Sequence, residues 1–192
     1  MESLRMAFKE WAVICRALGE GKQAIILRKG GIAEEHGRFT PDHSRFWLYP
    51  TYVHQQREGI KASALPLLEI VQKEPHDSKR VRFTHFAEVS GVFQVLDLPR
   101  ILDLDSLHLW SEETVKMKFH YRTPGIFILP VRVYRVARPI EHLVKPEYDG
   151  CKTWVDLGED LSTQGATPVL SDREYHDVLD SLDRILNPTS FA

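Results

Sequence analysis

Cysteine, long apolar runs and the common nucleotide and hydrolase signatures are scarce or missing in this 192-residue sequence. Its two cysteines, Cys15 and Cys151, give no disulfide framework. Cys15 lies inside an apolar run and reads as a small buried hydrophobe. No apolar run approaches the roughly 20 residues that span a bilayer, and the opening MESLRMAFKEW has no apolar core ahead of a cleavage site. The expectation is a cytoplasmic protein with no membrane contact. The RKGGI segment at 28–32 lacks the spacing of a phosphate-binding P-loop, and no glycine-rich strand-to-helix turn of the dinucleotide type is present. AIILRKGG is like the strand before a Nudix box, but no paired-glutamate helix with that spacing follows, which excludes pyrophosphohydrolase chemistry. G-x-S-x-G and H-E-x-x-H are absent too, and no cofactor is expected.

What is present is ordinary globular material: 43% hydrophobic, 27% charged and 10% aromatic residues, enough for a sizeable core. The net charge of −2 hides a split. Residues 1–155 carry 23 Lys/Arg against 19 Asp/Glu, whereas residues 156–192 carry 2 against 8, so a mildly basic body precedes an acidic tail.

The stretch 22–55 organises the chain. An apolar run at 24–27 ends in Arg28, Lys29, Gly30 and Gly31; a polar loop over 29–44 follows with Glu34 and Glu35; a second apolar run at 46–49 ends in Pro50, Thr51, His54 and Gln55. Two short strands thus carry polar groups to their ends, with glycines that admit close backbone approach. If the strands are parallel neighbours, Lys29 and His54 share an edge; if antiparallel, a strand length separates them. Convergence is the expectation.

Elsewhere, residues 6–18 read as a strand returning through Gly19–Gly21 into 23–28 as a β-hairpin, with a helix over 7–18 as the competing reading. An apolar stripe over 61–73 predicts a helix with Pro66 in its first turn. Residues 81–95 alternate as strand, broken at Gly91, and 99–104 suggest a helical turn. Ser111 predicts an N-cap for a helix reaching about 121. Residues 126–137 form the strongest strand, where Pro130 suggests an edge or a bulge. A short strand over 153–157 and a linker over 161–170 follow. Ser171 with Glu174 forms a capping box, and Tyr175, Val178, Leu179, Leu182, Ile185 and Leu186 mark one face of a last helix. Together these predict an α+β fold: a mixed, largely antiparallel, partly barrel-like sheet flanked by about three helices. Residues 1–158 would form one domain, and 159–192 a linker and an amphipathic helix packed on it.

Several constellations could carry chemistry. His36, His43 and His54 lie near Glu34, Glu35 and Asp42 but match no metal-ligand spacing, so no metal is expected. Glu20-Gly21-Lys22 has the acid-x-Lys spacing of a nuclease, with Glu10 alone upstream as partner; exposed turn charges are the plainer reading. Arg132 and Tyr134 share a strand face, and Arg28, Lys29, Arg38, Arg45, Arg57 and Lys61 recur nearby. Guanidinium groups beside aromatics suit phosphate contact and base stacking, although salt bridges among strands to the many carboxylates are the plainer reading.

On these residues the chain resembles the bacterial family of domain of unknown function 1802, through FKEWAV at 8–13, LRKGGI at 27–32 with Glu34 following, FWLYPT at 46–51 with His54 and Gln55, and VRVY at 131–134. The family has no assigned activity. Some members occur beside restriction-endonuclease domains, which implies a role near restriction–modification and a nuclease partner. A weaker likeness is to PUA-like barrels, including the ASCH group, where a tryptophan, a glycine turn and a Lys-x5-Arg strand precede a basic cleft; Trp11, Gly21, Lys22 and Arg28 stand in that order. Such barrels bind RNA or modified bases. Two functions follow as expectations. In a DNA- or RNA-binding module, Arg28, Lys29 and Arg132 would meet phosphate, Gly30 and Gly31 would offer backbone N–H groups, and Tyr134 would stack. In a small acid–base enzyme, Glu10, Glu34 and His54 would act on an anionic substrate held by Lys29.

Overall fold

The structure, a computed structural model, describes residues 2–29, 32–35, 38–41, 43–53, 55–150 and 152–187, with the backbone course alone for 32–35 and 38–41. Chain order is β1 (Ser3–Trp11), α1 (Ala12–Gly19), β2 (Ile25–Arg28), β3 (Ile32–Glu35), β4 (Arg38–Pro41), β5 (Arg45–Thr51), α2 (Leu65–Lys73), β6 (Arg80–Val89), β7 (Phe93–Val95), α3 (Leu98–Leu102), α4 (Glu112–His120), β8 (Ile126–Leu143), β9 (Trp154–Ser162), β10 (Thr167–Pro168) and α5 (Asp172–Leu186). The main sheet runs β10-β8-β6-β5-β1-β9, with β2 and β7 also paired to β8, and β3–β4 form a separate hairpin. Among the described residues β1–β5 is the single parallel pair. The α+β class and the mixed, largely antiparallel sheet are as expected.

Chain length forces the sheet to curl. Its two outer strands, β9 and β10, are joined by residues 163–166 alone. Six strands laid flat would hold those edges about 24 Å apart at about 4.8 Å per strand. The five Cα–Cα steps from Ser162 to Thr167 reach at most about 18 Å. The curl creates an inner and an outer core. On β5, Phe46 and Leu48 belong to the outer one and Trp47 and Tyr49 to the inner one, as period-two alternation requires.

Strand β8 is the spine, 18 residues long. Its first part pairs with β2 and β7, its second with β6 and β10. Pro130 is therefore central rather than at an edge. It lies at the seam between β7 and β6, its carbonyl accepting from the Ser90 N–H at 3.0 Å, where the missing N–H interrupts no ladder. Pro139 falls in a second irregularity, where 136–139 lie between the pairs Phe83↔Ile140 and His85↔Arg135.

Residues 6–18 are neither a hairpin strand nor a helix throughout. The strand ends at Trp11 and α1 follows directly. Seven of the eight α1 residues are buried, so the helix is apolar all round and leaves no periodicity to separate it from the strand. This helix and the single-turn α3 raise the α-helices to five among the described residues, against the three expected. The loop over 29–44 contains the β3–β4 pairing, and the segment read as linker over 161–170 holds the end of β9 and all of β10.

Ser111 caps α4 by accepting from the Thr114 N–H, and Ser171 and Glu174 form the reciprocal capping box of α5. Tyr175, Leu182 and Leu186 of α5 are buried. No helix among the described residues is long and apolar enough to cross a membrane.

Leu182 is 1% exposed, so Leu182→Ala should cost about 2–4 kcal/mol, read as the denaturation midpoint; an unchanged midpoint would show that the α5 stripe is not core. Two histidines set an acid limit. Burial, reinforced by Arg135 and Arg16 against Glu20, lowers His85 to about 4, and burial with Lys61, against Asp105 and the Trp110 backbone, lowers His108 to about 4. Because the unfolded chain takes up these protons first, stability is full above about pH 6.5 and falls towards pH 4, by up to about 3 kcal/mol for each histidine. His108→Phe should flatten that decline, and equal declines in both proteins would contradict the assignment.

Candidate functional site

The parallel pair β1–β5 sets Glu10 beside Pro50 and Trp11 beside Thr51. The chain then turns straight into α1, whose Val13 N–H donates to Gln55 Oε1 at 2.8 Å. Glu10 is 6% exposed. Its Oε1 accepts from the Trp11 N–H at 2.8 Å, and its carbonyl accepts from Thr51 Oγ1 at 2.9 Å. Its Oε2 is buried with no hydrogen-bond partner among the described residues, next to a helix N-terminus that favours negative charge.

Two cations share this region. Arg28 ends β2; its guanidinium lies 4.8 Å from the Phe8 ring centroid and donates to Thr153 Oγ1, while its Nε is buried with no partner among the described residues. Lys118 projects from α4 with its ammonium 4.3 Å from the Trp110 ring centroid. Trp110 is buried, its indole N–H without a partner among the described residues, and it packs on Trp11 at 4.8 Å. Trp11 in turn rests on Gly59, where a Cβ would meet the indole at 2.5 Å, so the ring pair depends on that glycine. Burial lowers the Arg28 pKa against the opposing charge of Glu10. Burial also lowers the Lys118 pKa, Glu10 opposing and Arg28 adding to it. Glu10 thus acts on both cations and Arg28 on Lys118, yet no ion pair within 4.0 Å joins any two of the three among the described residues. Burying charge without direct pairing is costly, and buried polar atoms without partners call for a functional account.

Thr153 and Trp154 close the side near β9. Trp154 meets Phe8 at 5.0 Å, Phe46 at 5.1 Å and His43 at 5.1 Å, all edge-on. Cys15 is buried as expected, its thiol pKa raised by burial and by Glu10.

The other residues singled out in the sequence are dispersed. Lys29 donates to the carbonyls of Phe119 at 3.0 Å, Gly125 at 2.7 Å and Thr123. It caps the end of α4 and so fixes the helix that carries Lys118. Arg132 pairs with Asp172 at 2.5 Å and lies 5.0 Å from the Tyr175 ring centroid, docking α5. Tyr134 stacks on Phe86 at 5.0 Å. Arg28 is opposite Phe127, five positions from Arg132 along β8, or about 16 Å at 3.3 Å per residue, so those two arginines serve different places. Glu34 stands opposite Phe39 in the β3–β4 hairpin, its side chain outside the description. Gly30, Gly31 and His54 lie outside the described residues, and with them the distance from Lys29 to His54. The strands expected to bring that pair together are not neighbours: β2 pairs with β8, and β5 takes β1 as its parallel partner. Glu20 pairs with Lys22 at 2.7 Å and with Arg16, the turn charges of the plainer reading. No group of three metal-ligating side chains occurs among the described residues.

Lys118, Trp110 and Thr153 are absent from the sequence-based site. One signal was available for Lys118: Thr114, Val115 and Phe119 are the buried positions of α4, and Lys118 falls on that stripe.

Fold and site together define an α+β domain with a curled mixed sheet and a buried charge cluster at the end of its parallel strand pair. Residues 7–181 match the family model described as Domain of unknown function (DUF1802), and the chain belongs to that family. Among solved structures it is similar to the crystal structure of ASCH from Zymomonas mobilis, at 15% identity and a TM-score of 0.43, over 91% of this chain and 93% of that one. It is also similar to two single-residue mutants of the same Zymomonas mobilis protein. The tyrosine-to-phenylalanine mutant matches at 14% identity and a TM-score of 0.43 over 91% and 96%, and the serine-to-alanine mutant at 13% and 0.42 over 91% and 94%. Both likenesses read from the sequence, to the family and to the ASCH group, thus recur. No curated protein matches the chain.

Lys29→Met removes a cation bonded to three carbonyls and should cost about 1–3 kcal/mol. Lys118→Met removes a charge with no ion-pair partner among the described residues and should change stability by less than about 1 kcal/mol, the scale of its contact with Trp110. Equal destabilisation in chemical denaturation would make Lys118 a structural strut like Lys29.

Proposed function

We propose that this protein binds single-stranded nucleic acid at the end of the β1–β5 pair, with phosphate drawn to Lys118 and Arg28 and a base stacking against the half-buried Trp11. The observation that supports this reading is the cluster itself: two cations and a carboxylate held together out of water without pairing, among tryptophans. Cations beside aromatic faces suit a backbone and its bases. The expected placement of phosphate moves from Lys29 and Arg132, which are engaged with carbonyls and with Asp172, to Lys118; Arg28 is retained. The restriction–modification association implied by the family resemblance gains no support from this geometry.

A second reading is favoured by one observation, the lowered pKa of Lys118. A lysine whose pKa is lowered by burial is a candidate general base, and Glu10 nearby would complete an acid–base pair for an anionic substrate. Chromatography of the oligonucleotide after incubation separates the two: intact strand supports binding, and cleaved or altered strand supports the enzyme.

Short single-stranded RNA or DNA should bind with an affinity that falls as salt rises, each phosphate contact contributing about 0.7 to the logarithmic slope. Lys118→Met should weaken binding about tenfold and reduce the slope by about that amount, whereas Arg132→Met should leave the slope unchanged. Fluorescence anisotropy measures both. No binding of either strand at low salt would overturn the reading.

A further inference from the structure

At the far end of β8, away from the charge cluster, four groups form one hydrogen-bond chain. His142 is 4% exposed. Its Nδ1 lies 3.0 Å from Glu159 Oε1, and its Nε2 lies 2.8 Å from the Tyr148 hydroxyl oxygen. The same hydroxyl lies 3.0 Å from the Leu157 carbonyl oxygen. The partners come from three segments: His142 from β8, Tyr148 from the turn at Pro146–Tyr148, and Leu157 with Glu159 from β9. From β6, Phe83 meets the imidazole at 6.2 Å. Arg82 and Glu141, one position along the β6–β8 ladder, pair with each other at 3.6 Å on the opposite face. From β5, the Tyr49 ring meets the Tyr148 ring at 6.4 Å. Lys145 donates to the same Leu157 carbonyl at 3.2 Å. Burial, with Asp156, Glu147 and Glu159 adding to it, raises the Tyr148 pKa, so the phenol keeps its proton around neutrality.

Counting protons along the chain gives two arrangements. The phenol has one proton and two acceptors in reach, the Leu157 carbonyl and His142 Nε2. An ionised carboxylate only accepts, so Glu159 keeps a proton on Nδ1 in either form of the ring. In the imidazolium both ring nitrogens donate. Nδ1–H then serves Glu159, Nε2–H serves the Tyr148 oxygen, and the Tyr148 O–H serves Leu157. In the neutral imidazole one proton has left Nε2 for solvent, and Nε2 has become an acceptor. The Tyr148 O–H turns to it. Leu157 loses the phenol and keeps Lys145.

We propose that Glu159, His142 and Tyr148 form a pH-operated clasp, closed on β9 through the Leu157 carbonyl when the imidazole is charged and released from it when the imidazole is neutral. Histidine is the side chain whose charge ordinarily changes between about pH 5 and 8, so the clasp works in that range. What it fastens is the connection from β8 to β9. Lys9 of β1 donates to the backbone carbonyl of Tyr148 and, at 3.3 Å, to that of Gly150. The connection then delivers Thr153, whose hydroxyl accepts from Arg28. Acid therefore stiffens the segment that backs Arg28, and rising pH loosens it. The clasp stands apart from the nucleic-acid reading, whatever the site binds.

The test is NMR of the isotope-labelled full chain between about pH 5 and 8, following the His142 ring nitrogens and the Leu157 carbonyl carbon. Nδ1 should stay protonated throughout while Nε2 loses its proton, and the Leu157 carbonyl resonance should move with the same midpoint. In Tyr148→Phe the Leu157 resonance should hold still while His142 titrates. Glu159→Gln, at a position 62% exposed, supports the same conclusion if Tyr148→Phe does not fold: nothing then pins the neutral ring's proton on Nδ1, and the Leu157 movement should shrink. Amide hydrogen exchange in the β8–β9 connection, taken as the ratio of native protein to Tyr148→Phe at each pH, should rise about fivefold over the same range, the net scale of one hydrogen bond. A neutral ring protonated on Nε2, a ring that keeps one charge state throughout, or a Leu157 resonance unmoved while His142 titrates would overturn the clasp. An exchange ratio constant with pH would overturn the stiffening of the connection.

Discussion

Three buried or half-buried charges, with Glu10 acting on both cations and no ion pair between any two of them among the described residues, are the constraint around which this structure makes sense. Glu10, Arg28 and Lys118 come from three different elements, the ends of β1 and β2 and the last turn of α4. A direct ion pair would hold them more cheaply than the observed separation. Each is instead supported from behind: Glu10 by the Trp11 N–H, Arg28 by Phe8 and Thr153, Lys118 by Trp110. The fold fixes the carriers of all three charges.

The architecture supplies the placement. Pairing β1 parallel to β5 sets Glu10 beside Pro50 at the point where α1 begins. Strand β8 aligns β2 so that Arg28 ends opposite Phe127. Lys29, one residue on, reaches the carbonyls at the end of α4 and holds that helix against the sheet. Adjacent residues thus divide the labour, Arg28 in the charge cluster and Lys29 as the strut beneath it. On the far part of β8, Arg132 and Tyr134 serve packing, the first by docking α5 through Asp172 and Tyr175 and the second by stacking on Phe86.

Much of the fold was legible because its signals are local. The capping box of α5, the Ser111 cap of α4, the break at Gly91 and the strong strand after 126 each rest on a few adjacent residues whose chemistry survives any tertiary context. The junction at Trp11–Ala12 was not legible, because strand and helix are both buried there and periodicity vanishes. Pro130 misled because the rule confining proline to edges assumes one partner per side along a whole strand, whereas β8 changes partner at that residue. The site was half legible. Arg28 stood out as the charge that ends an apolar run, and Glu10 as the acid upstream of the Glu20-Gly21-Lys22 turn. Their third member did not, since Lys118 lies ninety residues from Arg28 and is joined to it by a helix–sheet contact that no spacing encodes. The same blindness to strand pairing led β2, rather than β1, to be taken as the partner of β5.

The central claim is that the site awaits an anion at Lys118. Its most direct test follows the side-chain nitrogen of Lys118 by NMR through a pH titration, with and without a saturating dinucleoside monophosphate. Burial holds the free amine below its ordinary range. The account predicts that the bound phosphodiester raises it, with proton uptake on binding at pH values above the free amine's midpoint. A titration curve for Lys118 that stays in place while the dinucleotide binds would put the ligand elsewhere and contradict the account.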